Sequence, residues 1–291
     1  MPLLKLGLKR EASNFVRQAV RPLSKPLYVR LIFRRYFGYW PDLNNPHTFN
    51  EKVAAYKLDS RGNALMPKLV DKVAVKEYVA ATIGAEYLIP TLWHGEHLPP
   101  REERSWPVPF VLKGSHGYSQ NLFVRDTPDW DRLEPIAQSW LHQRHGREHF
   151  EWPYLQVRPR LLVEPYLGDG DRLPVDYKFF TFNGRVEAVQ VDVGRGTDHR
   201  RAMMDRLWKP LPFTFNKPWP LQPVEPPQTF ERMIVLAERL AGSLPFARVD
   251  FYEIAGSIRF GEITFFPDAG KGQFNPVEGD ALMGEFWHYP A

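Results

Sequence analysis

The dipeptide Asn183-Gly184 separates two β-rich runs, DYKFFTF at 176–182 and RVEAVQVDV at 185–193. Two-residue turns that match strand twist need positive φ at their central positions, which Asn-Gly supplies, so the runs are expected to pair antiparallel. ARVDFYEI and SIRFGEITFF form a second expected hairpin across Ala255-Gly256, and Thr229 to Ala241 between the two hairpins reads as a helix. Upstream, PFVLKGS and NLFVR are short β runs around a glycine-containing loop, residues 128–145 are helical with an aromatic stripe, and RLLVEPYL at 160–167 is a further strand. Hairpins alternating with single helices predict an α+β protein with antiparallel sheets.

The N-terminal third has different punctuation. Thr48-Phe49-Asn50-Glu51 has the form of a capping box, with Thr48 as N-cap and Glu51 reaching back. A second helix is expected over 67–82 on Leu69, Val70, Val73, Ala74 and Val79, stopped by Ile83-Gly84, and Tyr87 to Leu92 reads as a strand. Residues 41–107 therefore read as a small α/β lead-in domain, followed by units at 108–167 and 168–291. Residues 1–40 carry nine Lys or Arg against Glu11 alone, a net +8 that leaves −4 for the rest of a chain whose total is +4. Pro22 and Pro26 divide this arm into two short helices. With its interleaved Leu, Phe and Tyr, the arm either rests on an anionic membrane leaflet or packs a solvated face on the body.

Composition narrows the chemistry. The absence of cysteine removes disulfides, thiolate zinc sites and cysteine nucleophiles and fits a reducing compartment. Lys5 interrupts any apolar signal core and no run approaches the ~18 apolar residues of a membrane span, so the expected location is cytoplasmic, with peripheral contact at the inner membrane face through the arm. Nucleic acid is disfavoured as a partner, since no second basic stripe follows the arm. Prolines, at about twice their usual ~5% share, concentrate at 99–109, 153–174 and 207–227, where long loops are expected.

Several residues can carry chemistry. Lys113 ends a β run immediately before Gly114-Ser115-His116-Gly117-Tyr118-Ser119, where a lysine can neutralise phosphate while loop N–H groups cover it; the alternative is an ordinary surface hairpin. Asp250 and Glu262 fall on adjacent strands of the second hairpin and can converge on a hard cation, with Thr264 on the same side, or else form a polar face balanced by Arg248 or Arg259. Asp176 and Lys178 share a strand face, and Arg195 follows as a further cation. His142, His145 and His149 have helical spacing but sit beside Gly146 and Arg147, which favours a solvated helix end over a metal site. Trp208, Phe213 and Trp219 either stack on sugar rings or close the core.

In order, FNEKVAAYKL, LVDKVAVKEYVA, IGAEYLIPTLW, FVLKGSHGYSQN, LLVEPYL, DYKFFTFNG, RVDFY and GEITFFPDAG resemble the TupA-like branch of the ATP-grasp superfamily from about residue 46 to 275. The resemblance implies two α+β subdomains clasping ATP. Lys113 would meet the α and β phosphates, and the 114–120 loop with His116, Gly117 and Ser119 would act as a lid. Glu164-Pro165-Tyr166-Leu167 would meet adenine mainly through backbone groups, and Asp169 or Asp171 the ribose. Asp176 would belong to the nucleotide site, Lys178 would approach the γ phosphate with Arg195 and Arg248 as catalytic cations, and Asp250 and Glu262 would hold Mg²⁺. Thr264 stands where the wider superfamily has a metal-binding Asn. The implied reaction joins a carboxylate to an amine through an acyl phosphate, modifying a cell-surface polysaccharide or its lipid-linked precursor with an amino acid or peptide. A sugar kinase and a glycosyltransferase are the competing readings.

Overall fold

The computed structural model describes residues 22 and 24–289. Helix α1 (Lys25–Phe37) opens with the Ser24 hydroxyl accepting from the Leu27 N–H and stops at Gly38, whose φ is 81°. It buries Tyr28, Val29, Ile32 and Phe33 against Ala54 and Phe150, so this part of the expected arm packs on the body. The rest of the arm, 1–21 and 23, lies outside the described residues. Among those residues no helix is long and apolar enough to cross a membrane.

The capping box at Thr48 forms as expected: its hydroxyl accepts from the Glu51 N–H, and the Glu51 carboxylate accepts from the Thr48 N–H, both at 3.2 Å. It opens α2 (Phe49–Asp59). The helix expected over 67–82 is broken into α3 (Leu65–Val70) and α4 (Val75–Thr82). Asp71 causes the break by turning extended, accepting from the Val73 N–H at 2.9 Å and pairing with Arg160. The strand expected at 87–92 is also corrected. Ala85–Tyr87 is a 3₁₀ turn, Pro90 has no N–H to donate, and pairing starts only at Leu92, ahead of β1 (Trp93–Gly95).

Strand β1 joins an antiparallel four-stranded sheet of order β1-β4-β2-β3, with β2 (Phe110–Gly114), β3 (Asn121–Val124) and β4 (Leu161–Pro165). Helix α5 (Trp130–His142) covers it through Leu133, Ala137 and Trp140. The larger sheet has order β10-β9-β5-β6-β7, from β5 (Asp176–Phe182), β6 (Arg185–Val193), β7 (Arg200–Asp205), β9 (Phe246–Ile254) and β10 (Ser257–Thr264). Both expected hairpins form, with φ of 49° and 81° at Asn183-Gly184 and 48° and 73° at Ala255-Gly256. Strand β7 was not legible as a strand, because its apolar centre Ala202-Met203-Met204 is only three residues long. Two short strands, β8 (Thr214–Phe215) and β11 (Phe274–Asn275), pair beyond it.

Side-chain alternation divides the large sheet into two faces. Phe179 meets Phe230 of α6 (Phe230–Ala241) on one face; Phe180 and Phe246 meet Phe49 of α2 on the other. The second face therefore continues along β5 to Lys178 and Asp176 and along β9 to Arg248 and Asp250. The strands are apolar under the helix and charged where they emerge. The lead-in helices share this core instead of forming their own, since Phe49, Val53, Met66, Leu69 and Val79 belong to the same buried cluster as the sheet. Trp208 packs edge-on against Phe230 and donates its Nε1–H to Val224 O, while Phe213 is buried and Trp219 lies against the core, so all three close the core.

Candidate active site

Register brings the charged residues into one row. Lys178 pairs with Asp250 across β5 and β9, and Asp250 pairs with Glu262 across β9 and β10, beside a bulge at Gly261. Lys178 Nζ donates to Asp176 Oδ2 at 2.6 Å and to Asp250 Oδ2 at 2.5 Å. Arg248 grips Asp250 with two bonds of 2.8 Å and reaches Glu262 Oε1 at 3.2 Å, and Arg195 holds Asp176 at 2.6 Å. Burial favours neutral Lys178, but Asp176 and Asp250 outweigh it and raise the ammonium's pKa. Burial likewise raises the Glu262 carboxyl, yet Lys72, Arg248 and Lys178 hold it at about 2.

Asp176, Lys178, Arg195, Asp250 and Glu262 line a cleft of about 240 Å³ together with Lys113, Lys72 and Lys76. Lys113 and Lys76 each hold Glu164 at 2.5 Å, and they outweigh its burial to keep that carboxyl below its ordinary range. Burial lowers the pKa of Lys72. Beside the cleft, and sharing Lys113, Asn121, Arg195 and Tyr252 with it, is a more apolar slot made by Val111, Phe123, Tyr166, Leu167 and Leu173. A third cavity of about 720 Å³ shares Tyr118, Ser119 and Glu262 with the cleft and extends past Arg248 and Thr264 to Tyr36, Glu151 and Lys271.

The loop between β2 and β3 separates the cleft from this larger cavity, and both its ends are tied down. Ser115 exchanges backbone bonds with Lys72 and Arg160, Lys72 Nζ donates to Gly117 O at 2.5 Å, and Gln120 donates to Gln143 at 3.0 Å. Gly117 is required here, since a Cβ would lie 2.2 Å from the His145 ring. Tyr118 is exposed and Ser119 has a φ of 58°, so the tip projects.

Most of the residues expected from the sequence converge: Lys113, Gly117, Ser119, Asp176, Lys178, Arg195, Asp250 and Glu262 line the cleft, and Tyr166 and Leu167 line the apolar slot. The packing corrects the placing of His116 and Asp171 and adds to that of Glu164, Arg248 and Thr264. His116 is buried with Nε2 2.9 Å from Trp140 O, so it anchors the loop and does not reach the cleft. Glu164 enters with its carboxylate, as the counter-charge of two lysines, in addition to any backbone role. Asp171 is exposed and pairs with Arg125 at 2.8 Å, and Asp169 bridges to Arg172; neither lines the slot where a ribose would lie. Arg248 and Thr264 line the larger cavity and are not part of the cleft lining. Sequence reasoning missed Lys72 and Lys76, whose spacing of four was the available signal, and Tyr252, Arg201 and Lys271, which had none.

The all-oxygen set of Asp250 and Glu262 suits Mg²⁺, which binds to one or two carboxylates plus phosphate and water. No cluster of three metal-ligating acidic, His or Cys side chains occurs among the described residues, so such a cation would need the triphosphate to complete its shell. Asp176 Oδ1 is buried without a hydrogen-bond partner in this cleft, a further oxygen suited to a cation or its water. Asp250 Oδ2 accepts from both Lys178 Nζ and Arg248 Nη2, so a cation there would share it with Arg248 and replace Lys178.

A family model described as TupA-like ATPgrasp matches residues 51–288. No curated protein matches. Similar solved structures include a D-alanine–D-alanine ligase from Bacillus anthracis complexed with ATP, at 16% identity and TM-score 0.40, covering 68% of this chain and 54% of that one. An L-amino acid ligase from Bacillus licheniformis is 12% identical with TM-score 0.46, covering 76% and 49%. The ATP-grasp ligase PsnB, complexed with a phosphomimetic variant of its minimal precursor, Mg and ADP, is 13% identical with TM-score 0.44, covering 80% and 64%. The chain spans about half to two thirds of the length of these structures.

Proposed function

The chain belongs to the TupA-like ATP-grasp family, and from that premise we propose that it is an ATP- and magnesium-dependent ligase joining a carboxylate to an amine. The observation that carries this reading is the Glu262–Asp250–Lys178 row, in register across three strands and lining one cleft with Lys113. The apolar slot receives adenine, and Lys113, Lys76 and Lys72 receive the phosphates. Mg²⁺ held by Asp250 and Glu262 supplies neutralisation of phosphate charge when bound.

The substrate carboxylate attacks the γ phosphorus, ADP leaves and an acyl phosphate forms. Lys178, drawn from Asp250 to the transferring group, offsets the charge building on its oxygens, with Arg195 and Arg248 as fixed cations behind it. The neutral amine attacks the acyl carbon, the bond from that carbon to the phosphate oxygen breaks, and the departing inorganic phosphate carries off the proton shed by the nitrogen. The Tyr118-Ser119 tip excludes water, which would otherwise hydrolyse the acyl phosphate.

The 720 Å³ cavity falls within the range of small-molecule sites. Tyr36, Tyr118 and Tyr154 with Asn216 and Gln273 in its lining suit the faces and hydroxyls of sugars. We therefore assign it to a glycan or glycan precursor of the cell surface that receives an amino acid or peptide, at the inner face of the membrane. Calorimetry with an ATP analogue is the first test. Binding should require magnesium and be lost in Lys113→Ala and Glu262→Ala; no binding by the parent refutes the reading. With candidate substrates, ADP plus an amide supports a ligase, whereas a phosphosugar refutes it in favour of a kinase.

A further inference from the structure

Helix α1 presents two opposite faces. Tyr28, Val29, Ile32 and Phe33 are buried on the body, which leaves Leu27, Arg30, Leu31 and Arg34 as an i, i+3, i+4, i+7 stripe pointing away from it. Leu27 is 41% exposed. The stripe, with Arg34 exposed and Arg30 and Leu31 half-buried, continues at Trp40, which is 48% exposed with the Arg34 guanidinium 4.6 Å over its ring, while Tyr39 packs edge-on against Phe33. No acidic residue occurs from Ser24 to Pro41. Alternating leucine and arginine ending in an exposed tryptophan is the composition of a membrane-interface helix, since arginines meet anionic headgroups while the indole ring sits at their level. The same helix carries Tyr36 into the lining of the 720 Å³ cavity, where Lys271 Nζ lies 4.9 Å over its ring.

We propose that the outward stripe of α1 and Trp40 beyond it dock on an anionic bilayer, so that the cavity beside Tyr36 receives an acceptor anchored in that bilayer. The assignment of the cavity to an acceptor rests on the ligase reading; the docking surface does not. Arginine supplies the attraction and Leu27 and Trp40 the partial insertion, so binding should weaken with salt and also fail when the apolar groups are removed.

The test is sedimentation of the full chain with vesicles of phosphatidylcholine containing phosphatidylglycerol, against phosphatidylcholine alone. The parent should bind only the anionic vesicles. At about 1 kcal/mol per arginine near such a surface, Arg30→Gln/Arg34→Gln should partition roughly 25-fold less. Leu27→Ser/Trp40→Ser should also lose binding although the charge is unchanged. Because the chain has no cysteine, a bimane label on Leu31→Cys can report insertion by a blue shift that a label on Asp131→Cys lacks. Binding untouched by either double exchange overturns the proposal by placing the contact elsewhere. Loss with the arginines alone overturns it in favour of a soluble polyanion. Magnesium-dependent nucleotide binding, measured on the same samples, should be unchanged in all these variants, and its absence from the parent would count against the ligase reading and not against the docking surface.

Discussion

Replacing Glu164 by Gln removes the one negative charge that Lys76 and Lys113 share. Removing one partner of a buried ion pair typically costs ~3–5 kcal/mol. The lower end applies here, because the lysine side chains keep 17% and 22% of their accessibility and Lys76 retains Ile89 O at 2.8 Å and Thr91 Oγ1 at 2.6 Å. We expect a loss of about 3 kcal/mol in urea unfolding, or roughly 5 °C in melting temperature for a chain of this size. A triphosphate brings negative charge to the same lysines. A magnesium–ATP analogue should therefore stabilise Glu164→Gln more than the parent, for which a concentration 100-fold above the dissociation constant is worth ~2.7 kcal/mol. The Glu164 carboxyl sits below its ordinary range, so its contribution is complete above the ordinary value and drains as pH falls through the lowered one. The variant should lack that acid limb. A loss under about 1 kcal/mol, or equal rescue of both proteins by the analogue, refutes the assignment of these lysines to phosphate.

Glu262→Gln should weaken magnesium-dependent nucleotide binding at least about tenfold by calorimetry while costing less urea stability than Glu164→Gln, because the Glu262 side chain keeps 40% of its accessibility and Arg248 keeps both bonds to Asp250. Burial raises the Asp250 carboxyl whereas Glu262 is held at about 2, so in a pH series of the same calorimetry acidification should weaken that binding through Asp250 first. Thr48→Ala removes the cap of α2 and should cost about 1 kcal/mol in the same unfolding assay, with no change in nucleotide affinity. Lys57 is buried with its Nζ donating to His149 O and Ala269 O, and burial lowers its pKa to about 8. The unfolded chain thus binds the extra proton between that value and the ordinary lysine one, so stability gains a rising component with pH above about 8; Lys57→Met should lack it.

The sequence was most legible where chemistry is local. A hairpin places Asp250 opposite Glu262 without reference to anything else, and a two-residue period puts Asp176 with Lys178. What escaped depended on distant partners. Whether 65–82 is one helix or two is decided by Asp71 meeting Arg160, 89 residues later, and the break positions Lys72 beside the loop at Gly117. Glu164 reads as a hinge residue until two lysines from other elements arrive at its carboxylate. His116 and Asp171 were misplaced for the same reason, since the Trp140 carbonyl and Arg125 that claim them are set by packing and leave no mark in the local pattern.

The loop after β2 has fixed ends and a projecting tip, and that tip borders both the cleft proposed for the nucleotide and the larger cavity proposed for the acceptor. Two compartments that share Tyr118, Ser119 and Glu262 should not fill independently. Whichever ligand first orders Tyr118 and Ser119 lowers the entropic cost for the second, and by thermodynamic reciprocity each must raise the other's affinity by the same factor. Initial-rate patterns and paired titrations should then show synergism between nucleotide and acceptor, and shortening the Tyr118 side chain should uncouple them before it abolishes either.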